Sequence, residues 1–346
     1  MSILRTTDGA MLKTGLTLLF MLASAGVVGS AVLSDPPNQG MPPTDGCQMH
    51  RLASIDLKRT AEGAILVPVT INKKTAYMYI EIASHMSVIS QQAVGRLKLP
   101  VRKIGDAMEV FIGSQRVEAY ASAQEFALAG LAYPDQGFLI DPNSSNSSRY
   151  NAEEVIGVLG NGVLWTMDLE LDLAHLKMNL YEPGQCTTHP VYWATDYEVV
   201  PLQRDPLGEY HFPMELDGRK LDAIFSTGNS VTTLSTDVTK RVYGFGKESP
   251  GVDTVTDASG SASSQYRAMK LTTSGLSAVD EQVRLVDPPA SRCQLIKRPD
   301  AIGYTGCLYH YPLKLGNSIL EKLHIYIDTK GNQMYYTGNS GSNPAK

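Results

Sequence analysis

The sequence carries ILVPVTINKKTAYMYIEIASHMSVIS at residues 65–90 and a related pattern, YHFPMELDGRKLDAIFSTGNSVTTLS, at residues 210–235. Each copy has an alternating apolar strand, a short polar turn, a second strand, a turn of small residues and a third strand. The second copy has Asp-Gly in its first turn, which is a strong hairpin signal. Glu81 aligns with Ser226 across the copies. The pattern predicts an internal β-repeat with one polar residue at each tight turn.

A second repeated block follows each copy. VLGNGVLWTMDLELDLAHLKMNLY at residues 158–181 matches KLGNSILEKLHIYIDTKGNQMYYT at residues 314–337. Each block has the pattern of Leu-Gly, a short helical turn and then two strands. Asp172 and Asp328 hold equivalent strand ends, so we expect each of them to stabilise a turn. The two halves of the chain therefore have the same order of parts.

The regions between these blocks also alternate apolar and polar residues, which predicts a mostly β protein. We expect an N-terminal lobe at residues 50–184 and a C-terminal lobe at residues 198–338, joined by a linker at residues 185–197. Residues 339–346 form a short tail. With 346 residues, the chain is long enough for two medium-sized lobes with substantial cores.

Residues 1–31 have the composition of a signal segment. Arg5 and Lys13 precede an apolar run that ends in small residues, as at a signal-peptidase site after Ala31. The run is short for a membrane span and is interrupted by glycine, although an uncleaved anchor stays open. Residues 32–49, rich in Pro, Gly and Asp, are typical of a linker. We therefore expect an exported protein, periplasmic or secreted, that meets the membrane only through an uncleaved signal segment.

The chain has four cysteines, and an exported compartment permits disulfides. Four cysteines allow three pairings, and their placement favours Cys47 with Cys186 and Cys293 with Cys307. None of them has zinc-finger spacing, and the seven histidines include no HExxH motif. We expect neither a metal site nor a cofactor.

The net charge of −5 and the isoelectric point of about 5.8 argue against nucleic-acid binding, which needs clustered Lys and Arg to neutralise phosphates. The glycines of GVLGNG, residues 157–162, lack the order of a dinucleotide-binding loop. Ser84, Ser87 and Ser226 lie in no nucleophile-elbow motif. The sequence therefore favours neither a nucleotide-binding protein nor a serine hydrolase.

The repeated blocks resemble the aspartic protease clan, and in particular exported bacterial retropepsin-like proteins with two fused halves. In that family each half carries Asp-Thr-Gly-Ala-x-x-Ser/Thr-x-Leu/Ile-Ser after an apolar strand. The corresponding segments here are IEIASHMSVIS, residues 80–90, and FSTGNSVTTLS, residues 225–235. The family braces each catalytic loop with an apolar-apolar-Gly motif, which matches Leu159, Gly160, Leu315 and Gly316. The resemblance implies a mostly β, two-lobed, pepsin-like or retropepsin-like β-barrel fold with a pseudo-twofold repeat.

Glu81 and Ser226 occupy the positions of the family's two catalytic Asp residues. The family's reaction needs two carboxylates about 3 Å apart that share one proton. One activates a water, and the other donates to the scissile carbonyl. Thr227 keeps the hydroxyl that ties the family's two loops together, whereas Ile82 has lost it. The other loop positions are Ala83, Ser84, Gly228 and Asn229.

The resemblance therefore implies a catalytically inactive aspartic-protease-like protein, a pseudoprotease, whose interlobe cleft binds an extended peptide or a protein partner. An alternative is an active or weakly active aspartic-type endopeptidase, in which Glu81 activates a water for peptide-bond hydrolysis. Whether the protein is an enzyme stays open at this point, and the missing second acid favours the inactive interpretation.

Overall fold

β-Strands make up most of the described chain, which confirms the predicted mostly β class. The computed structural model describes residues 49–338 apart from residues 83, 85, 106–109, 113–114, 145–149, 151–153, 185–189, 205–208, 257–261, 274–275, 288–295, 298–304 and 307–312. The predicted signal segment, residues 32–48 of the predicted linker, the C-terminal tail and all four cysteines lie outside the described residues.

The first half of the chain begins with an edge strand and continues through an eight-stranded sheet. Its described strands are β1 (Arg51–Asp56), β2 (Lys58–Arg59), β3 (Ile65–Ile71), β4 (Lys74–Glu81), β5 (Val88–Ser90), β6 (Val101–Lys103), β7 (Phe111–Ile112), β8 (Gln115–Arg116), β9 (Ala119–Leu128), β10 (Leu131–Asp141), β11 (Val155–Gly160), β12 (Asp168–Asp172) and β13 (Lys177–Tyr181). The helices are α1 (Gln91–Leu97) and α2 (Asn161–Leu164). Ser90 caps α1, because its hydroxyl accepts a hydrogen bond from Ala93 N at 3.2 Å.

The second half repeats this order. Its described strands are β14 (Glu198–Pro201), β15 (Gln203–Arg204), β16 (Tyr210–Leu216), β17 (Arg219–Phe225), β18 (Thr232–Ser235), β19 (Val252–Thr256), β20 (Ala262–Thr273), β21 (Leu276–Val286), β22 (Ile296–Lys297), β23 (Thr305–Gly306), β24 (Leu313–Leu315), β25 (Leu323–Asp328) and β26 (Gln333–Gly338). A π-helical turn, Thr239–Tyr243, continues α3 (Thr236–Val238), and α4 spans Asn317–Leu320. Across the part of the chain that the structure describes, no helix has both the length and the apolar character to cross a membrane.

Two eight-stranded sheets have the same strand order. The first runs β2-β3-β4-β11-β5-β10-β9-β6, and the second runs β15-β16-β17-β24-β18-β21-β20-β19. The extra pairing of β3 with β9 also has its counterpart, between β16 and β20. In both sheets the strand that leads into the tight turn pairs in parallel with a later strand, β4 with β11 and β17 with β24. The described chain therefore contains one β-unit twice.

The first hairpin of each unit turns at residues with a left-handed backbone. Asn72 and Lys73 join β3 to β4 with φ of 46° and 65°, and Asp217 and Gly218 join β16 to β17 with φ of 47° and 75°. Two-residue turns of this kind match the right-handed twist of the strands that they connect. The turn residues thus fix the register of both hairpins, so that alternate side chains reach the core.

A third sheet of six strands joins the two halves, in the order β1-β13-β12-β25-β26-β14. At its centre β12 pairs antiparallel with β25, and Glu170 lies opposite Tyr326. One face of this sheet is apolar and packs into a hydrophobic core that contains side chains from both halves. The contributing residues of the central strands include Leu169, Leu171, Ile325 and Ile327.

The opposite face of the six-stranded sheet is polar and largely buried. Asp168 is 1% exposed and accepts four hydrogen bonds. Its Oδ1 accepts from the Thr329 backbone N–H at 2.9 Å and from the Thr329 hydroxyl at 2.8 Å. Its Oδ2 accepts from Gly184 N–H and the Tyr326 hydroxyl, each at 3.0 Å. This carboxylate therefore has its lone pairs satisfied without water.

Asp328 is a second buried carboxyl group, 2% exposed, on the same face. It stabilises its turn by accepting the backbone N–H groups of Lys330 at 3.0 Å and Gly331 at 2.7 Å. Burial raises the pKa of Asp328, and the neighbouring Asp168 charge raises it further against the effect of these hydrogen bonds. Asp168 thus accepts hydrogen bonds from three other residues, Gly184, Tyr326 and Thr329, whereas Asp328 accepts backbone N–H groups of its own turn.

Candidate functional site

Glu81 and Ser226 come together at the ends of two equivalent strands. Glu81 is the last residue of β4, and Ser226 directly follows β17. The Ser226 hydroxyl donates a hydrogen bond of 2.9 Å to the Glu81 carboxylate. Ser226 is 1% exposed, and Glu81 is half-buried. Two positions that the sequence aligns across its repeat are therefore in direct contact, although 145 residues separate them.

The loops that follow these two residues have the same backbone turn. The Ser84 N–H donates to the Glu81 carbonyl oxygen at 3.2 Å, and the Asn229 N–H donates to the Ser226 carbonyl oxygen at 3.1 Å. Ser84 and Asn229 are equivalent positions of the repeat. Each turn begins as its buried strand ends, which holds the side chains of Glu81 and Ser226 at the junction between the halves.

The side chain of Asn229 fixes the direction of the Ser226 hydroxyl. The Asn229 amide nitrogen donates to Ser226 Oγ at 2.7 Å, so the serine oxygen is an acceptor on that side. A hydroxyl has one proton to donate, and this proton is directed to the Glu81 carboxylate. Ser226 is therefore held between an amide donor and a carboxylate acceptor.

Thr227 links the two loops across the repeat. Its hydroxyl donates to the Ile80 carbonyl oxygen at 2.7 Å and accepts from the Ile82 backbone N–H at 3.3 Å. Ile82 is the equivalent residue in the first loop and is 3% exposed. Its side chain has no hydroxyl with which to form the reciprocal bonds. One threonine therefore provides the side-chain hydrogen bonds of this link, and a buried isoleucine packs at the matching position.

Gly160 and Gly316 allow the bracing segments to approach the loops closely. A Cβ atom on Gly160 would lie 2.6 Å from the carbonyl oxygens of Ser84 and Met86. A Cβ atom on Gly316 would lie 2.2 Å from the carbonyl carbon of Val231. Real Cβ atoms do not approach so closely, and backbone atoms cannot move aside cheaply. Glycine is thus required at both positions.

Equivalent hydrogen bonds connect each bracing glycine to its loop. The Gly160 N–H donates to the Ser87 hydroxyl at 3.0 Å, and the Gly316 N–H donates to the Thr232 hydroxyl at 3.3 Å. The apolar residues that precede the two glycines are buried in the core, and these are Leu159 and Leu315. The predicted bracing residues therefore contact the loops in both halves.

Two buried asparagines, absent from the predicted site, complete this bracing. Asn161 donates its amide to the Ile82 carbonyl oxygen at 3.0 Å, and Asn317 donates to the Thr227 carbonyl oxygen at 3.0 Å. Asn317 also reaches the carbonyl oxygen of Gly63 at 2.8 Å. Both asparagines are fully buried. The repeated Leu-Gly-Asn triplet is the sequence signal that identifies them.

The arrangement provides one carboxylate and one hydroxyl at the junction. Glu81 can hold a water and exchange a proton with it, whereas a serine hydroxyl neither gives up nor takes up a proton at ordinary pH. Asp222 precedes Ser226 on β17, but its side chain is 61% exposed and faces His211 at 4.0 Å. It does not supply a second carboxyl group to this junction.

Of the remaining predicted loop residues, one is described by the structure and one is not. Gly228 lies within the second turn, whereas Ala83 lies outside the described residues. In the ranges that the structure describes, no three His, Cys, Asp or Glu side chains are placed to hold a metal ion together.

No protein-family model matches the chain. A comparison with curated proteins finds no significant match either.

Proposed function

We propose that this protein has the two-lobed architecture of aspartic proteases and has lost their catalytic activity. The duplicated strand order and the six-stranded sheet between the two units support the architecture. The observation that carries the loss of activity is the hydrogen bond from Ser226 to Glu81. On this proposal residues 50–184 and 198–338 are the lobes, and the cleft between them lies over this pair.

Aspartic-type hydrolysis uses two carboxyl groups that share a proton, one as base and one as acid. The Ser226 proton is committed to Glu81, and the serine oxygen already accepts an amide proton from Asn229. Without a second carboxyl group the site has no acid to polarise a scissile carbonyl. The pair therefore acts as a structural hydrogen bond at the base of the cleft.

A cleft that has lost catalysis can still hold an extended peptide or protein segment by strand pairing. Met86, in the loop after Glu81, is 45% exposed. An exposed methionine is a flexible apolar contact that adapts to different side chains. This exposure supports a binding role for the first loop.

A second candidate is weak aspartic-type peptidase activity based on Glu81. Its supporting observation is that the carboxylate is half-buried rather than enclosed and is held in place by the Ser226 hydroxyl. A water bound to Glu81 would then be the nucleophile.

One experiment separates the two functions. The purified chain is incubated with an unfolded protein at pH 3–7, with and without a pepsin-type inhibitor, beside Glu81→Gln. We expect no inhibitor-sensitive cleavage from either chain. Inhibitor-sensitive cleavage that Glu81→Gln abolishes would establish the peptidase instead.

A binding experiment tests the proposed role of the cleft. Peptides from a digest of the same unfolded protein are passed over the immobilised chain. We expect them to be retained, and to be retained less by Met86→Ser.

The proposal also places the protein outside the cytoplasm, either periplasmic or secreted. It depends on the signal-like pattern of residues 1–31. N-terminal sequencing of the mature protein tests this localisation, and we expect the mature chain to begin at Val32, directly after Ala31.

A further inference from the structure

A pocket of about 820 Å³ opens on the polar face of the six-stranded sheet. It contains none of the residues of the Glu81 and Ser226 loops, so it is a separate feature. Its wall is formed by β12, β25, β26 and the segment that leads into β14. The lining side chains used below are Asp172, Trp193, Asp196, Tyr197, Glu198 and His324.

The floor of the pocket is a rigid imidazole. His324 Nε2 lies 2.8 Å from Glu170 Oε1, and its Nδ1 lies 3.9 Å from the Asp172 carboxylate. Trp193 stacks flat on the His324 ring, with 3.7 Å between ring centres and an interplanar angle of 11°. The Trp193 Nε1–H donates to the Thr337 hydroxyl at 2.9 Å. Both aromatic rings are therefore fixed before any ligand binds.

Glu170 holds the His324 imidazole in place. It is 3% exposed and accepts hydrogen bonds from Tyr181 at 2.6 Å and from Asn179 at 3.0 Å, in addition to His324. Burial acts to raise the pKa of Glu170, but the hydrogen bonds from His324, Tyr181 and Asn179 outweigh it and lower the pKa. A buried negative charge thus lies behind the pocket.

The walls of the pocket add the carboxylates of Asp172, Asp196 and Glu198. Asp172 is engaged by His175, whose Nδ1 lies 2.7 Å from its carboxylate. Asp196 and Glu198 make no ion pair within the described part of the chain. No lysine or arginine side chain lines the pocket among the described residues. The pocket therefore combines a negative rim with an aromatic wall.

We propose that this pocket binds the guanidinium group of an arginine side chain presented by a protein partner. A guanidinium is planar, stacks on aromatic faces and donates in a fork that fits carboxylates. Trp193, held by His324 and Thr337, and Tyr197 supply the aromatic surface of the pocket, and Asp196 with Glu198 supplies the acceptors. The pocket volume exceeds what one side chain needs, which leaves room for the partner's flanking backbone.

The test uses the full chain with Trp165→Phe, which leaves Trp193 as the remaining tryptophan of the two in the sequence. Fluorescence is titrated at low salt with N-acetyl-arginine amide and with N-acetyl-citrulline amide, the uncharged isostere. We expect saturable quenching by the arginine compound at millimolar concentration and none by citrulline. The Asp196→Asn/Glu198→Gln double variant should bind about two- to fivefold more weakly per removed carboxylate.

A matched control is Glu118→Gln/Glu125→Gln, which removes the same charge from exposed positions on or beside β9. It should bind as the parent does. Equal quenching by citrulline, an equal loss in both double variants, or no saturable binding at all would each overturn the proposal. None of these outcomes depends on activity at Glu81.

Discussion

The hydroxyl of Ser226 donates to the carboxylate of Glu81 over 2.9 Å, and this bond joins equivalent positions of the two halves. Glutamate has a long side chain and serine a short one, and together they span the distance between the two strand ends. The two equivalent positions are therefore in contact through one carboxylate and one hydroxyl group.

Replacing Ser226 by Asp should place two carboxyl groups in contact and make stability depend on pH. Like charges at this distance raise the pKa of the pair, so the folded state binds an extra proton. Stability is then present below the ordinary carboxyl pKa and is lost as pH rises through the raised value, by about 1.4 kcal/mol for each unit. Urea unfolding of Ser226→Asp at pH 4.5 and pH 7.5 measures this difference.

The matched control is Ser226→Asn, which has a similar shape and no charge. Its free energy of unfolding should change with pH as the parent's does. If Ser226→Asp and Ser226→Asn show the same pH dependence, the two side chains are not in contact, and the aligned positions do not form a pair.

Thr227→Val should destabilise the junction between the halves. The substitution removes the bond to the Ile80 carbonyl oxygen and leaves the Ile82 N–H without its side-chain acceptor. A buried donor left unsatisfied costs about 1–3 kcal/mol. Thr227→Ser keeps the hydroxyl and should lose less than half as much. Equal losses in urea unfolding would show that the methyl group, and not the hydroxyl, is responsible.

The sequence predicts the β class and the pairing of Glu81 with Ser226 for a physical reason. Side chains alternate along a strand with a period of two, so a matched hydrophobic pattern fixes which face each residue occupies. Two copies of one pattern then place equivalent residues at equivalent strand ends. The Asp-Gly turn at residues 217–218 is likewise local, because it depends on backbone conformation at two residues.

Contacts that depend on the packing of the two halves are not visible in the sequence. The Asn317 amide, in the second half, reaches the carbonyl oxygen of Gly63 because a loop of the first half lies beside it. The cluster of Glu170 and His324 exists because β12 and β25 pair across the halves. No local periodicity records that pairing, so sequence analysis could not place these side chains together.

Gly160→Ala should strongly destabilise the first half. The added Cβ would meet the carbonyl oxygens of Ser84 and Met86 at 2.6 Å, and backbone atoms must shift to accept it. We expect a loss of about 1–3 kcal/mol in urea unfolding. Gly95→Ala is the control, because it lies within α1 with nothing within 4 Å of a new Cβ. It should stabilise by about 0.5–1 kcal/mol. A neutral Gly160→Ala would contradict the close bracing contact.

Asp328→Asn and Asp168→Asn should change the free energy of unfolding in different ways, although both acids are buried on the same face of the six-stranded sheet. Asn at 328 keeps the oxygen that accepts the Lys330 and Gly331 N–H groups and removes a charge whose pKa is raised. Stability due to that raised pKa is present below the ordinary carboxyl pKa and is lost as pH rises through the raised value, so Asp328→Asn should gain stability relative to the parent between about pH 3 and pH 7. Asp168→Asn instead turns an amide toward two donors and should lose about 2–3 kcal/mol at both pH values. Equal effects in urea unfolding would refute this distinction.

Glu170→Gln should remove a contribution to the free energy of unfolding that depends on pH. Because hydrogen bonds lower the pKa of Glu170 in the folded state, its contribution is present above the ordinary carboxyl pKa and is lost as pH falls toward the lowered value. We expect a loss of about 3 kcal/mol at pH 7, and the gap to the parent should narrow as the pH falls from 6 to 3. Glu198→Gln, which removes an exposed acid on the edge strand β14 of the same sheet, should show neither effect. A constant gap in pH-resolved urea unfolding would mean that Gln fails through shape rather than charge, and that the buried cluster does not depend on the ionised carboxylate.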